Sequence, residues 1–128
     1  MKKLFLILAF IAPVATFAQD TLQHVVLSPD KYKERISAGV QLVDVRTPEE
    51  FAEGHIEDAR NIDFFASDFL VQFDRYDKKK PLYIYCRSGN RSAKAAKLLQ
   101  KAGFSMIVDL AGGFKAWKAA EEKVPTEK

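Results

Sequence analysis

Hydrophobic positions fall into short, nearly continuous runs, separated by segments in which they recur with helical spacing. The runs typical of strands are 24–27, 40–45, 60–62, 82–86 and 106–110. Near-continuous apolar runs are typical of parallel strands covered on both faces, whereas a strand with one wet face alternates. Strands that alternate with helices therefore predict an α/β fold with a mainly parallel sheet.

Capping residues mark where the first helices begin. Ser28 followed by Pro29 predicts a helix that extends to about Ser37. Thr47-Pro48-Glu49-Glu50 predicts a capping box with proline in the first turn, and Gly54 is expected to end that helix. Three later helices are predicted from their apolar spacing: 64–73, with Phe65, Phe69 and Phe73 on one face, 92–102, and 113–122.

The first 18 residues have the organisation of a secretory signal peptide. Lys2 and Lys3 precede the apolar run 4–12, and Thr16 and Ala18 lie at the usual −3 and −1 positions of a cleavage site. We expect cleavage after Ala18, export to the periplasm or secretion, and no stable membrane insertion afterwards. An uncleaved membrane anchor is the alternative, although the run is shorter than the roughly 20 residues that cross a bilayer.

Residues 19–128 are enough for one domain, with a core at about 22–122. The whole chain has 20 Lys and Arg against 17 Asp and Glu. Removing Lys2 and Lys3 with the leader leaves 18 against 17, a net charge of +1. No basic stripe interleaved with aromatic residues is present in the sequence, so no nucleic-acid partner is predicted.

Cys86 is the only cysteine in the sequence, which excludes an internal disulfide and a metal site built from several cysteines. A buried and inert thiol is one interpretation. Its position favours a reactive thiol instead, because it ends a predicted strand and the loop 87–91 leads into a helix. Backbone N–H groups and the positive end of the helix dipole converge there on an anion, such as a thiolate or a bound oxyanion. Neither a metal nor a cofactor is predicted.

The loop supplies further groups that suit an anion. Gly89 allows the backbone to bend so that successive N–H groups face one point. Arg91 lies at the helix start, where a cation opposes the dipole, so an anion explains its position better than helix stability does. One guanidinium about 5 Å from a thiolate contributes about 3 kcal/mol at an effective dielectric constant near 20, so Arg87 or Arg91 can supply the stabilisation that a thiolate needs. Desolvation of the thiolate opposes this contribution and leaves the net shift of its pKa open. Ser88 and Ser92 either donate to the anion or serve as caps.

Asp44 and Arg46 end the strand that is expected beside the cysteine strand. They either brace the loop through hydrogen bonds and an ion pair or form a simple surface pair. His55 is interpreted as a structural histidine at the exit of a helix rather than as a general base.

Three segments of the chain resemble the rhodanese family. Residues 42–62, which contain LVDVRTPEEF, GHI and ARNI, are similar to the family's first characteristic segment. Residues 86–92 (CRSGNRS) resemble its active-site loop, and 110–117 (LAGGFKAW) resemble its closing motif. The three occur in the family's order over about residues 22–122. Glu57-Asp58 departs from the proline and glycine usual in that turn, which leaves the local turn shape open.

The resemblance implies a rhodanese-like fold, with a five-stranded sheet flanked by helices on both faces, and a single-domain sulfurtransferase. Cys86 matches the position that takes a sulfane sulfur from a small-molecule donor such as thiosulfate and becomes a persulfide. The sulfur then passes to cyanide or a thiol, and a protein thiol is a further expected partner. The positions that match the family's anion cradle are Arg87, Ser88, Gly89, Asn90 and Arg91, and Ser92 is added as a candidate ligand of the donor.

Two other functions stay open from the sequence. A cysteine phosphatase or arsenate reductase of related fold has five residues between cysteine and arginine, whereas four separate Cys86 from Arg91 here. The shorter loop fits a sulfane sulfur better than a phosphate monoester. The second alternative is a rhodanese-like binding or sulfur-carrier module whose cysteine is not turned over, although the complete loop favours catalysis.

Overall fold

Strands and helices alternate along the chain from residue 23 to residue 122. The computed structural model describes residues 3, 7, 9–13 and 21–123. In chain order the elements are β1 (Gln23–Leu27), α1 (Pro29–Ile36), β2 (Gln41–Asp44), α2 (Pro48–Glu53), β3 (Arg60–Asn61), α3 (Phe69–Gln72), β4 (Leu82–Tyr85), α4 (Asn90–Lys101), β5 (Met106–Leu110) and α5 (Gly113–Glu122). A short 3-10 turn, Phe73–Arg75, follows α3.

The five strands form one sheet in the order β1-β5-β4-β2-β3, and every neighbouring pair is parallel. β4 lies in the middle, between β5 and β2. Asp44 of β2 is opposite Tyr85 of β4, and Ile84 is opposite Asp109 of β5. The carboxyl ends of these three strands therefore lie at one edge of the sheet, where open α/β sheets bind their ligands.

Helices cover both faces of the sheet, which confirms the predicted fold. One face carries α1, α5 and the partly buried Phe51 of α2, and the other carries α3 and α4. Because side chains alternate along a strand, successive residues of β4 belong to different cores. The first core contains Tyr32, Leu42, Ile56, Ala59, Tyr83, Tyr85, Val108, Leu110 and Trp117. The second contains Val43, Val45, Ile62, Phe69, Phe73, Leu82, Ile84, Cys86, Ala95, Ala96, Leu99, Phe104 and Ile107.

The predicted caps of α1 and α2 are confirmed. The Ser28 hydroxyl accepts a hydrogen bond from the Lys31 amide at 3.5 Å. At α2, the Thr47 hydroxyl accepts from the Glu50 amide and the Glu50 carboxylate accepts from the Thr47 amide, each at 3.3 Å. Both bonds satisfy donors that a helix start otherwise leaves open. The α2 helix then ends at Gly54, as expected.

The predicted helix over 64–73 is wrong. The Asp63 side chain accepts a hydrogen bond from the Phe65 amide at 2.9 Å and its carbonyl accepts from the Ala66 amide at 3.0 Å, so the chain turns there instead of extending a helix. Only the four residues of α3 are α-helical in this segment. Phe65 is consequently 68% exposed, whereas Phe69 and Phe73 are buried.

The helix after the cysteine begins two residues earlier than predicted. Its N-cap is Gly89, and Asn90 is its first residue. Ser92 therefore lies within the first turn, and the interpretation of Ser92 as a cap is wrong.

The predicted leader lies largely outside the described residues, as does its expected cleavage site after Ala18, and it stays a prediction. None of the helices in the described part of the chain is both long enough and apolar enough to cross a membrane.

Candidate active site

The loop that follows β4 wraps around the sulfur of Cys86. The strand ends at Tyr85, and residues 87–89 turn the chain into α4. Gly89 makes this turn in the left-handed region, with a φ of 109°, which is costly for residues with a Cβ. Its N–H group donates a hydrogen bond to the Cys86 sulfur at 3.1 Å. A backbone donor is thus aimed at the sulfur where α4 begins.

The thiol lies beneath the loop, and 1% of Cys86 is exposed. Its S–H group donates to the Ser92 hydroxyl oxygen at 3.3 Å, and that hydroxyl donates to the Gly89 carbonyl at 3.2 Å. The sulfur therefore has two polar contacts on its α4 side, although the rest of its surroundings is the second core. Ser92 is fully buried, and this burial favours a role toward the sulfur over direct contact with a donor.

The N-terminus of α5 holds the loop from the other side. The Phe114 amide donates to the Cys86 carbonyl at 2.8 Å, and the Lys115 amide donates to the Arg87 carbonyl at 3.0 Å. A Cβ on Gly113 would lie 2.5 Å from the Arg87 carbonyl carbon and 2.6 Å from the Cys86 carbonyl oxygen. Only glycine permits this approach. Gly113 is not among the site residues predicted from the sequence, and the signal that points to it is the glycine pair in the closing motif.

Arg91 forms a bidentate ion pair with Glu50 of α2. The two N···O distances are 2.6 and 2.9 Å. Hydrogen bonding between the two groups raises the pKa of Arg91 and lowers the pKa of Glu50 to about 2. The Glu50 carboxylate thus offsets part of the positive charge that Arg91 brings to the loop. The anion-binding role of Arg91 stays a prediction.

The sequence predicts Glu50 only as a member of the capping box, but in the structure it has a second role. Its carboxylate accepts hydrogen bonds from both the Thr47 amide and the Arg91 guanidinium. The two charged residues are 41 positions apart in the chain, and no local spacing relates them. Only the packing of α2 against the loop brings them into contact.

Arg87 and Lys115 line a cleft of about 360 Å³ beside the loop. Its other lining residues are Arg46, Glu50, Glu53, Gly54 and Phe114. The loop side chains of Arg87, Ser88 and Asn90 are exposed. These three predicted ligands therefore face solvent, where they can meet a small molecule.

Asp44 and Arg46 form a buried ion pair, so the interpretation as a surface pair is wrong. The guanidinium contacts both carboxylate oxygens, with a shortest distance of 2.6 Å, and it donates to the Gly54 carbonyl at 2.7 Å. It also lies 4.2 Å above the ring of Phe114, whose amide holds the Cys86 carbonyl. Arg46 thus contacts the end of α2 directly, whereas its contact with the cysteine loop is indirect and passes through Phe114 of α5.

His55 has a structural role at the end of α2, as predicted. Its Nδ1 lies 2.9 Å from the Phe51 carbonyl, and its ring stacks on the Phe51 ring at 3.6 Å. Within the ranges that the structure describes, no group of three His, Cys, Asp or Glu side chains is arranged to hold a metal ion.

Comparisons with known proteins point to one family. The model of the rhodanese-like domain matches residues 28–120. The thiosulfate sulfurtransferase GlpE of Pseudomonas aeruginosa is 37% identical over 101 residues, which cover 78% of this chain and 87% of that protein. Chloroplastic thiosulfate sulfurtransferase 16 of Arabidopsis thaliana is 39% identical over 100 residues, which cover 70% and 82% of the two chains.

Solved structures show the same similarity. The rhodanese-like domain protein of Staphylococcus aureus has a TM-score of 0.65 at 34% identity and covers 73% of this chain and 90% of its own. A rhodanese-related protein of Thermoplasma volcanium has a TM-score of 0.65 at 32% identity and covers 79% and 95%.

Proposed function

This chain belongs to the rhodanese-like domain family, and from that membership we propose that it transfers a sulfane sulfur through a persulfide on Cys86. At the family level it is a rhodanese-type sulfurtransferase. The proposed donor is a small molecule such as thiosulfate, and the proposed acceptor is cyanide or a thiol.

The reaction balances in two displacements. In the first, the Cys86 thiolate attacks the outer sulfur of thiosulfate, a new S–S bond forms, and the old one breaks as sulfite leaves with the electron pair. In the second, cyanide or an acceptor thiolate attacks the outer sulfur of the persulfide, and the Cys86 thiolate leaves. Neither step requires a redox partner, because the oxidised sulfur is passed on intact.

The observation that carries the proposal is the hydrogen bond that the Gly89 N–H donates to the sulfur of Cys86 at the start of α4. A hydrogen bond from a backbone amide, together with the positive end of a helix, favours a charged sulfur over a neutral one. The thiolate is both the nucleophile of the first step and the leaving group of the second. One interaction therefore supports both halves of the cycle.

The exposed part of the loop suits a divalent oxyanion. The Arg87 guanidinium and the Lys115 ammonium contribute positive charge to the cleft. They can attract the sulfonate end of a donor while its outer sulfur points toward Cys86. Glu50 and Glu53 also line this cleft, and the Glu50 carboxylate is paired with Arg91.

Intact mass spectrometry tests the proposal. After incubation with thiosulfate the protein should gain the mass of one sulfur atom, and cyanide or a thiol should remove it. The Cys86→Ser variant should gain nothing and should form no thiocyanate, because a serine hydroxyl is not ionised near neutral pH.

Two results would contradict sulfur transfer. A stable adduct that no acceptor removes would favour a carrier or binding module. Hydrolysis of an aryl phosphate without any sulfur uptake would favour the phosphatase.

A further inference from the structure

The outer face of α4 carries lysines and no acidic residue. Lys94, Lys97 and Lys101 are exposed, and their three- and four-residue spacing places them in one stripe along the helix. The stripe is opposite the face by which α4 packs on the sheet, where Ala96 and Leu99 are buried. Because α4 contains neither Asp nor Glu, this face has a single sign of charge over two turns.

A second group of lysines adjoins the end of α4. Residues 78–80 are three consecutive exposed lysines. The Ser105 amide donates to the Lys78 carbonyl at 3.1 Å, and the Lys78 side chain lies 3.3 Å from the position that a Cβ on Gly103 would occupy. The turn is thus held against the chain that leaves α4. We call the six residues together the lysine surface: Lys78, Lys79, Lys80, Lys94, Lys97 and Lys101.

The charge of the lysine surface is not neutralised by the protein. In the part of the chain that the structure describes, lysines form ion pairs only on α1 and α5, between Lys31 and Glu34 and between Lys118 and Glu121. Over residues 19–128 the other 12 Lys and Arg are outnumbered by 17 Asp and Glu, so the remainder of the domain has a net charge of −5. The six positive charges are therefore concentrated on one side of the molecule.

This arrangement is unfavourable for α4 itself. Side chains three or four residues apart on a helix have Cβ atoms about 5–6 Å apart, which is less than the Debye length of about 8 Å at physiological ionic strength. The three lysines of α4 consequently repel one another, and the helix dipole favours only Lys101, in the last turn. Binding to an external anionic surface would relieve this repulsion.

We propose that the lysine surface binds anionic phospholipid headgroups and thereby holds the domain on the surface of a membrane. The type of residue favours lipid over a protein or a single-stranded nucleic acid. Protein interfaces are enriched in Arg and aromatic residues and depleted in Lys, and single-stranded nucleic acids are bound by aromatic stacking. The exposed residues of α4 include neither Arg nor an aromatic residue. Lysine is a compact point charge, which suits mobile headgroups.

An apolar side chain lies beside the lysine stripe. Leu98 is adjacent to Lys97 and Lys101 on the surface of α4, and it is 39% exposed. Helices that lie on a membrane combine basic residues with apolar ones that reach the boundary between headgroups and acyl chains. Leu98 is in a position to make this contact without insertion of the helix into the bilayer.

The lysine surface and the cleft beside the cysteine loop belong to different sides of the sheet. α4 covers one face, whereas Phe114 and Lys115 of the cleft belong to α5, on the other face. Binding through α4 therefore leaves the cleft open to solution. The surface also agrees with the predicted leader, because a domain released by cleavage after Ala18 would remain at the membrane without being inserted.

The test is co-sedimentation of the full chain with lipid vesicles. We expect binding to vesicles of phosphatidylglycerol and phosphatidylcholine, weaker binding to phosphatidylcholine alone, and loss of the difference at about 0.5 M salt. Since one lysine near an anionic surface contributes about fivefold in partitioning, the triple variant Lys94→Gln, Lys97→Gln, Lys101→Gln should bind about a hundredfold more weakly. The matched control removes three charges from the opposite face (Lys31→Gln, Lys33→Gln, Lys118→Gln) and should bind nearly as well as the wild type.

A chemical footprint identifies the bound face even where the predicted leader itself holds the chain on vesicles. Vesicles with phosphatidylglycerol should protect Lys94, Lys97 and Lys101 from an amine-acylating reagent, as measured by mass spectrometry of peptides. Lys31 and Lys118 should remain reactive, since α1 and α5 face away from the membrane.

Uniform reactivity of all these lysines, or equal losses of binding in the two triple variants, would overturn the proposal. Tighter binding to a DNA duplex or to polyglutamate than to the vesicles would assign the surface to another polyanion and overturn it as well. Persulfide turnover in the absence of vesicles should be the same in the wild type and the α4 variant. The lipid proposal and sulfur transfer therefore fail separately.

Discussion

The starts of α4 and α5 are built from similar local parts but have different roles. Each follows a parallel strand of the sheet, and each has a glycine N-cap in the left-handed region, Gly89 with a φ of 109° and Gly112 with a φ of 71°. Neither helix has a side-chain cap. Both therefore present backbone N–H groups at the same edge of the sheet.

The difference lies in what faces those N–H groups. At α5 the Phe114 and Lys115 amides donate to two carbonyls of the cysteine loop, so this helix start is a structural support. At α4 the Gly89 amide donates to the sulfur of Cys86. A helix start thus becomes a scaffold when a neighbouring segment supplies carbonyls, and a reactive site when the chain supplies a nucleophile.

Replacing Gly113 by alanine should break the support and have the largest effect. Its φ of 64° costs an L-residue about 1–2 kcal/mol, and the 2.5 Å approach to Arg87 adds about 1–3 kcal/mol of overpacking. The loop must shift to relieve the contact, and a displacement near 1 Å lowers catalysis by about a hundredfold. Denaturant unfolding and the rate of thiocyanate formation measure the two effects.

Gly39→Ala is the matched control for that variant. Its φ of 79° is similar, but a Cβ there meets nothing within 4 Å. It should lose only the backbone contribution to stability and keep full activity. Equal losses of activity in the two variants would show that α5 does not position the loop.

Gly89→Ala probes the reactive helix start and should have an intermediate effect. A Cβ meets nothing within 4 Å, so the cost is backbone strain at a φ of 109°, about 1–2 kcal/mol. Relief of that strain rotates the amide away from the sulfur. Loss of a hydrogen bond to a charged group then lowers persulfide formation by about tenfold or more.

Gly103→Ala controls for the strain alone, because Gly103 has the same φ of 109° and its Cβ would meet only the flexible side chain of Lys78, at 3.3 Å. Stability should fall to a similar extent in both variants, whereas sulfur uptake by mass spectrometry should fall only in Gly89→Ala. Unchanged uptake in Gly89→Ala would remove the role assigned to this amide.

Glu50→Gln should have the smallest effect, and it tests the ion pair between Glu50 and Arg91 in the first turn of α4. The pKa of Glu50 is about 2 in the folded protein against 4.5 for a free side chain. Its ionised form therefore stabilises the fold above pH 4.5, and this contribution is lost as the pH falls toward 2. Since the pair is partly exposed, we expect a loss of the order of 1–2 kcal/mol at neutral pH.

The measurement is the free energy of unfolding as a function of pH. Glu50→Gln should flatten the decline between pH 4.5 and about 2, and Glu53→Gln, at the other end of α2, should retain the wild-type slope. An equal slope in all three proteins would mean that the Arg91 pair contributes nothing to stability.

Local sequence signals predicted much of the fold correctly. The strands, the Ser28 cap and the Thr47 capping box all occur where expected, because each depends on residues that are close together in the chain. The prediction failed at 64–73, where the aromatic spacing favoured a helix. There, an Asp63 turn, itself a local feature, competes successfully with the apolar periodicity.

The α/β fold, the family membership and the place of Cys86 between a central strand and a helix start could all be predicted from the sequence, since periodicity, capping and motifs depend on residues that are close together in the chain. The partners of those residues follow only from the tertiary structure: Glu50 for Arg91, the α5 amides for the loop carbonyls, and Ser92 for the sulfur of Cys86. The physical reason is that hydrogen bonds and ion pairs depend on distances of about 3 Å in space, and folding sets those distances between residues that are far apart in the chain.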